Sequence, residues 1–232
     1  MIDWNRIEGF IGYGRLDAPV VFIGLEEGLR NDEALEADLL QRSCFAPVMD
    51  LEEAHRGIAG AADRFSRHAR IQTTWRAMCH LMLRRGGMPE PTVEERRGYQ
   101  AVRLGRSAGE TLLAELLPYP KPALGEWPRL YQRRYRDGRR YRLEVLPKRL
   151  DLLTSMVGAH RRELVVCYGR SGWKDFGKIF SGVAAWTEIG PYRIGHDGDT
   201  RILFTRHFAD WSMRSEASLQ RMAEMALHGR QI

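Results

Sequence analysis

Cysteine is scarce in this chain. Cys44, Cys79 and Cys167 are the only three among 232 residues, and none belongs to a CxxC pair. That excludes a disulfide framework and argues against a zinc or iron–sulfur site. It fits a reduced, cytoplasmic setting. Long apolar runs are also missing: none approaches the roughly 20 residues that cross a bilayer, so no membrane partner is expected. The opening Met1-Ile2-Asp3-Trp4-Asn5-Arg6 has no basic stretch followed by an apolar one, so no signal peptide is expected. Internal repeats, low-complexity tracts and long linkers are absent, and the length suits one domain over residues 1–232. Gly169-Arg170-Ser171-Gly172 resembles a phosphate-cradling turn but lacks the lysine of a P-loop, so no nucleotide cofactor is expected.

Hydrophobic residues make up 44% of the chain, enough for a sizeable core. The formal net charge is +6, which permits a polyanionic partner. Basic residues crowd one segment: Arg133, Arg134, Arg136, Arg139, Arg140 and Arg142, with Tyr131, Tyr135 and Tyr141 between them. Arginine beside tyrosine suits phosphate contact with stacking on bases. The alternative is a solvated β-hairpin turning at Asp137-Gly138.

The run Pro19-Val20-Val21-Phe22-Ile23-Gly24 reads as a strand buried on both faces. Further strands are expected over residues 111–117, 164–168 and 202–204. The second is stopped by Pro118-Tyr119-Pro120-Lys121-Pro122, where prolines this dense cannot continue a ladder. Helices are expected over 31–42, capped by Asn31 or Asp32, and over 51–62, 73–85, 93–105, 147–159, 173–180 and 215–228. Pro147 suits a first turn. Trp75, Met78 and Met82 recur at the spacing of a buried stripe. Strands separated by helices imply a three-layer α/β/α domain around a central, mostly parallel, four-stranded sheet.

Ligands bind at the carboxyl ends of such strands. Those ends present Glu26 and Glu27 after the first strand, Pro118 after the second, Gly169 after the third and His207 after the fourth. A carboxylate, a histidine and a stiff loop therefore meet in one crevice. Glu26 either serves the site or caps the following helix. Glu27 serves the site or forms a salt bridge. His207 is a site residue or a strand-end histidine held to backbone. His196-Asp197-Gly198-Asp199 has metal-ligand residue types, but Asp-Gly between two apolar runs reads as a hairpin turn.

The order of these motifs resembles the uracil-DNA glycosylase superfamily. Gly24-Leu25-Glu26-Glu27-Gly28 is similar to that family's pocket-lining strand end. Glu115-Leu116-Leu117-Pro118 is similar to its Asn-Leu-Leu-Pro strand end, and Thr205-Arg206-His207-Phe208-Ala209 stands where it has a His-Pro-Ser loop. The chain departs from the family at Glu27 and Phe208, where the family has prolines, at Ala209, where it has serine, and at Glu115, where it has a base-reading asparagine. The resemblance implies a DNA-binding protein that hydrolyses the bond between a damaged or deaminated base and its sugar, without a metal. It implies Glu26 and His207 as catalytic groups, a pocket of Gly24, Glu27, Gly28, Phe45, Glu115, Pro118 and Gly169, and Phe45 as the stacking aromatic unless it is core. Arg133, Arg134, Arg136, Arg139 and Arg140, with Arg170 and Arg206, are the candidate phosphate contacts. Two alternatives remain. One is a non-catalytic nucleic-acid or nucleotide-binding module on the same fold; the other is a hydrolase in which Glu26 and Glu27 hold a divalent metal.

Overall fold

A computed structural model describes residues 1–28, 34–58, 61–123 and 125–228. The expected caps Asn31 and Asp32 lie outside them. In chain order the elements are α1 (Trp4–Gly9), β1 (Gly12–Gly14), β2 (Val20–Gly24), α2 (Leu35–Arg42), β3 (Val48–Met49), α3 (Leu51–Arg56), α4 (Thr73–Arg85), α5 (Val93–Val102) and β4 (Thr111–Glu115). Then follow α6 (Gly138–Gly158), β5 (Leu164–Tyr168), α7 (Trp173–Phe176), β6 (Thr187–Ile189), β7 (Tyr192–Asp197), β8 (Thr200–Thr205) and α8 (Glu216–Leu227).

The sheet has eight strands, not four, and is mixed, in the order β3-β1-β4-β2-β5-β8-β7-β6. The four strands read from the sequence are its centre, and β4, β2, β5 and β8 run parallel. The sequence reading missed β1, β3 and β6 because strands of two or three residues carry no alternation to detect. β7 and β8 form the expected hairpin, closing at Asp197 opposite Thr200. The metal-ligand reading of that turn is not needed.

Alternation along the central strands divides the core in two. Val20, Phe22, Leu164, Val166 and Leu203 face one way, onto Met78, Leu81 and Met82 of α4, Tyr99 of α5 and Met222 of α8. Val21, Ile23, Val165, Cys167 and Phe204 face the other way, onto Leu39 of α2, Val145 and Leu153 of α6 and Phe176 of α7. Both faces of the central strands are covered, as parallel strands require.

α6 differs most from expectation. It starts at Gly138, nine residues before Pro147, because the Asp137 side chain accepts from the Arg140 N–H at 2.8 Å and caps it. Pro147 sits inside the helix on its solvent side, where the carbonyl it leaves without a donor, on exposed Leu143, can bond water. No hairpin forms at Asp137-Gly138. The tyrosines of this segment are interior: Tyr131, Tyr135 and Tyr141 are buried around Tyr119, whose ring stacks on Tyr141 at 4.6 Å. Tyr131 donates to the Pro120 carbonyl, and Tyr119 and Tyr135 both donate to Glu8. This aromatic cluster holds the proline-rich loop in place, so its rings are not available for stacking on bases. Among the arginines, Arg133 pairs with Glu36, Arg134 with Glu8, Arg136 with Asp137 and Arg140 with Glu144.

Two buried arginines fasten loops to this frame. Arg149 of α6 donates to the carbonyls of Glu8, Phe10, Glu115 and Leu116, tying α1 and the end of β4 to the helix. Arg162 does the same for Leu16, Ala18 and Met156. Removing such a donor leaves buried carbonyls unpaired at about 1–3 kcal/mol each. Arg149→Met is therefore expected to lower unfolding free energy by ~3 kcal/mol or more in urea titrations. Arg161→Met, at an exposed pair with Asp199, should change it by less than about 0.5 kcal/mol.

Candidate functional site

The parallel register brings the strand ends to one edge. Gly24 lies opposite Glu115, Ile23 opposite Cys167, and Tyr168 opposite Thr205. Above this edge opens a cleft of about 1060 Å³. Glu26, Glu27 and Gly28 line it, as do Glu115, Pro118 and Lys121. So do Tyr168, Gly169, Arg170, Arg206 and His207. Residues from four distant parts of the chain thus share one wall.

The chain beyond β2 keeps pairing with the chain beyond β4. Leu116 N–H donates to Gly24 O, Leu117 N–H to Leu25 O, and Lys121 N–H to Glu27 O. This extended ribbon carries Glu26 past Lys121, and the two side chains form an ion pair at 3.1 Å with 5% and 9% of their surfaces exposed. Burial raises the Glu26 carboxyl above its ordinary range, while Lys121 draws it back. Among the described residues Glu26 caps no helix: α2 begins at Leu35 behind Ala34, with no side-chain cap.

Glu27 turns the opposite way and forms an ion pair with Arg42, which also holds Asp38. Burial opposes its charge, but Arg42, His55 and the Tyr13 hydroxyl together keep it ionised. Both the salt-bridge reading and the cleft-lining reading hold for this residue. Because Glu26 and Glu27 each have their own cation, they are not disposed to share a divalent metal. Among the described residues no three His, Cys, Asp or Glu side chains gather to hold one.

Glu115 completes the acidic floor. Its Oε1 accepts from the Tyr168 hydroxyl at 2.9 Å, and its buried Oε2 has no partner. Burial and then repulsion from Glu27 push its carboxyl well above the usual range, against the pull of Tyr168 and Arg149. The glycine at 24 leaves room for this group: a Cβ there would stand 2.2 Å from Glu115 Oε2 and 2.5 Å from the Tyr168 hydroxyl. Gly169 has φ +117 and would drive a Cβ to 2.8 Å from Leu25, so that turn also requires glycine.

His207 lies two residues beyond β8, with its ring 5.5 Å from that of Tyr168. Its Nδ1 accepts from the Ala209 N–H at 3.1 Å, which requires an unprotonated Nδ1 and leaves the proton on Nε2. Burial lowers its pKa against the pull of Asp210, so the ring is a neutral Nε2–H donor. The backbone-held reading and the cleft reading describe one residue.

Phe45 is core. It is buried against Phe10 and is not among the residues of the cleft wall. Phe10, Tyr13, Tyr168 and Trp75 do reach the cleft; Trp75, expected to be core, is only half-buried, at the edge of the cluster of Phe65 and His55. Its spacing with Met78 is the same for a buried stripe and for a cleft wall, so sequence could not separate them. Lys121 and Tyr168 were within stretches read as loop and strand; their polar ends gain meaning only from the register. Arg42 and His55 carried no sequence signal. His55 Nδ1 bonds the Leu51 carbonyl at 2.8 Å, and Glu27 acts on the charge of its ring.

No family model matches the chain, and no curated protein matches it significantly.

The Glu115 environment fixes a pH dependence. Below about pH 4.5 the carboxyl is neutral in folded and unfolded chains alike. Above it the unfolded chain sheds a proton that the folded chain retains, so stability falls by up to ~1.4 kcal/mol per pH unit until the folded group also ionises. Glu115→Gln removes this loss. The melting temperature of the variant is expected to pull ahead of the parent's progressively from about pH 5 to pH 7. A constant difference across that range would contradict the assignment.

Proposed function

We propose that this chain is a DNA-binding protein of the uracil-DNA glycosylase kind, which hydrolyses the glycosidic bond of a modified base. The observation that carries this reading is that Glu26, Glu115 and the neutral Nε2–H of His207, from the ends of the parallel strands β2, β4 and β8, line one cleft large enough for a nucleoside. Nucleoside chemistry needs a donor for charge developing on the leaving base and a carboxylate for the electron-poor sugar and its water. His207 supplies the donor at Nε2. Glu26 is the carboxylate, and its raised pKa makes it a stronger base than an exposed glutamate. Glu115, retaining its proton, presents Oε2 as a hydroxyl donor to the base edge, in place of an amide. Trp75 offers a face for the extruded ring.

The mouth of the cleft suits nucleic acid. Arg170 and Arg206 stand at its rim, and Trp211, on the turn after His207, exposes 79% of its surface. An exposed indole beside arginines suits stacking on an adjacent base. Trp211→Ala is expected to weaken binding of an oligonucleotide by ~1–3 kcal/mol, read by fluorescence anisotropy.

A second reading follows from one observation. The Lys121 pair leaves Glu26 only 5% exposed, which limits water access and favours a module that recognises a base without cleaving it. A panel of oligonucleotides, each with one modified base, assayed for abasic sites in EDTA separates the two. For the base that is excised, Glu26→Gln and His207→Ala should each cut turnover about a hundredfold or more, with DNA affinity nearly unchanged. The rate should also fall as pH drops through the raised pKa of Glu26. Binding by the parent protein without abasic sites on any oligonucleotide would establish the recognition module instead.

A further inference from the structure

Beside the main cleft lies a smaller groove of about 320 Å³, continuous with it through Arg170 and Arg206. Its other polar lining comes from Arg221 of α8 and from Ser212 and Ser218. Many of the described arginines are paired with a carboxylate. These three are not: no carboxylate oxygen of the described residues lies within 4.0 Å of Arg170, Arg206 or Arg221. Among the described residues Arg206 bonds only the Ser212 hydroxyl, at 3.3 Å, and its buried Nε has no acceptor. Arg170 is splayed over Trp173, 5.5 Å from its ring. Arg206 and Arg221 line this groove with the buried Tyr192 and both lower the pKa of its hydroxyl, against Glu224. Asp210 is near Arg206 but turned into its own turn, accepting from Ser212.

Three guanidiniums, one with a buried unsatisfied N–H, facing two hydroxyls across a small groove form a receptor for a tetrahedral dianion or phosphodiester. We propose that this groove binds a backbone phosphate of the DNA strand whose neighbouring nucleotide occupies the main cleft. The proposal rests on the DNA-binding reading above but not on its chemistry. It also relocates the phosphate contact. The segment around Arg133 to Arg140, conspicuous in the sequence, is largely engaged with Glu8, Glu36, Asp137 and Glu144. The groove arginines are scattered over residues 170, 206 and 221 and converge only in three dimensions.

The test uses a fluorescein-labelled single strand, with affinity measured by anisotropy over a series of salt concentrations. Arg170→Gln and Arg221→Gln are both surface changes, and melting curves verify folding. Each phosphate contact on a single strand contributes about 0.7 to the slope of log affinity against log salt. The double variant should lose at least that much slope and bind roughly tenfold or more weakly, while Arg133→Gln with Arg139→Gln leaves the slope unchanged. Binding by the parent with no change of slope in the double variant would overturn the groove and leave the glycosylase reading intact. Failure of the parent to bind DNA would overturn both. The expected slope loss, with no excision of any base, would keep the groove and remove the catalytic reading. A deoxynucleoside 5′-monophosphate arm separates the two sources of phosphate: tight binding of the mononucleotide that is lost in Arg221→Gln, with the strand unaffected, would replace the strand by a free nucleotide.

Discussion

Three carboxylates stand where β2 and β4 end, and most of the site is arranged around keeping them there. Isolated buried carboxylates cost several kcal/mol or give up their charge. The protein uses a different solution for each. Glu26 is neutralised by Lys121, Glu27 by Arg42, and Glu115 is held by the Tyr168 hydroxyl with its pKa raised by burial. These solutions depend on one another. The Glu115 pKa is raised, after burial, by the charge of Glu27 beside it, and the Glu27 pKa is lowered by Arg42 and His55, which reach it from α2 and α3. The parallel centre of the sheet supplies the geometry, since only parallel strands deliver their ends to a single edge.

The lysine that neutralises Glu26 comes from a loop with no regular structure of its own. That loop is held by a buried cluster of tyrosines and by Arg149, which bonds the carbonyls of Glu115 and Leu116 directly beneath it. The aromatic cluster thus joins α6 to the cleft. A segment that looks like an electrostatic surface in the sequence is half buried in fact. Its tyrosines are a foundation for the site, and its arginines mostly satisfy neighbouring carboxylates.

The central strands, their order of appearance and their shared edge were legible because β-branched runs ending in glycine or proline are strong signals. Glu26, Glu27, Glu115, Pro118, Gly169 and His207 all come to the predicted crevice for that reason. The edge strands were too short to read. α6 was misplaced because Pro147 was taken for a start signal, when the cap at Asp137 outweighs it and the exposed face tolerates the proline. Phe45 and Trp75 exchanged roles, since hydrophobic spacing tells which residues share a helix face but not whether that face ends at a cavity. Arg42, His55 and Arg221 were invisible, because a charge acquires a function only when its partner, or its lack of one, is known.

The central claim is that burial and the charge of Glu27 raise the Glu115 carboxyl well above the usual carboxylate range in the floor of the cleft. Glutamate side chains labelled with carbon-13 at the carboxyl report this directly as a function of pH. The account predicts one carboxyl signal that remains in its protonated position well above the ordinary carboxylate pKa of about 4.3 and that disappears in Glu115→Gln. Titration of every glutamate near the ordinary value, with no signal lost selectively above it, would contradict the account.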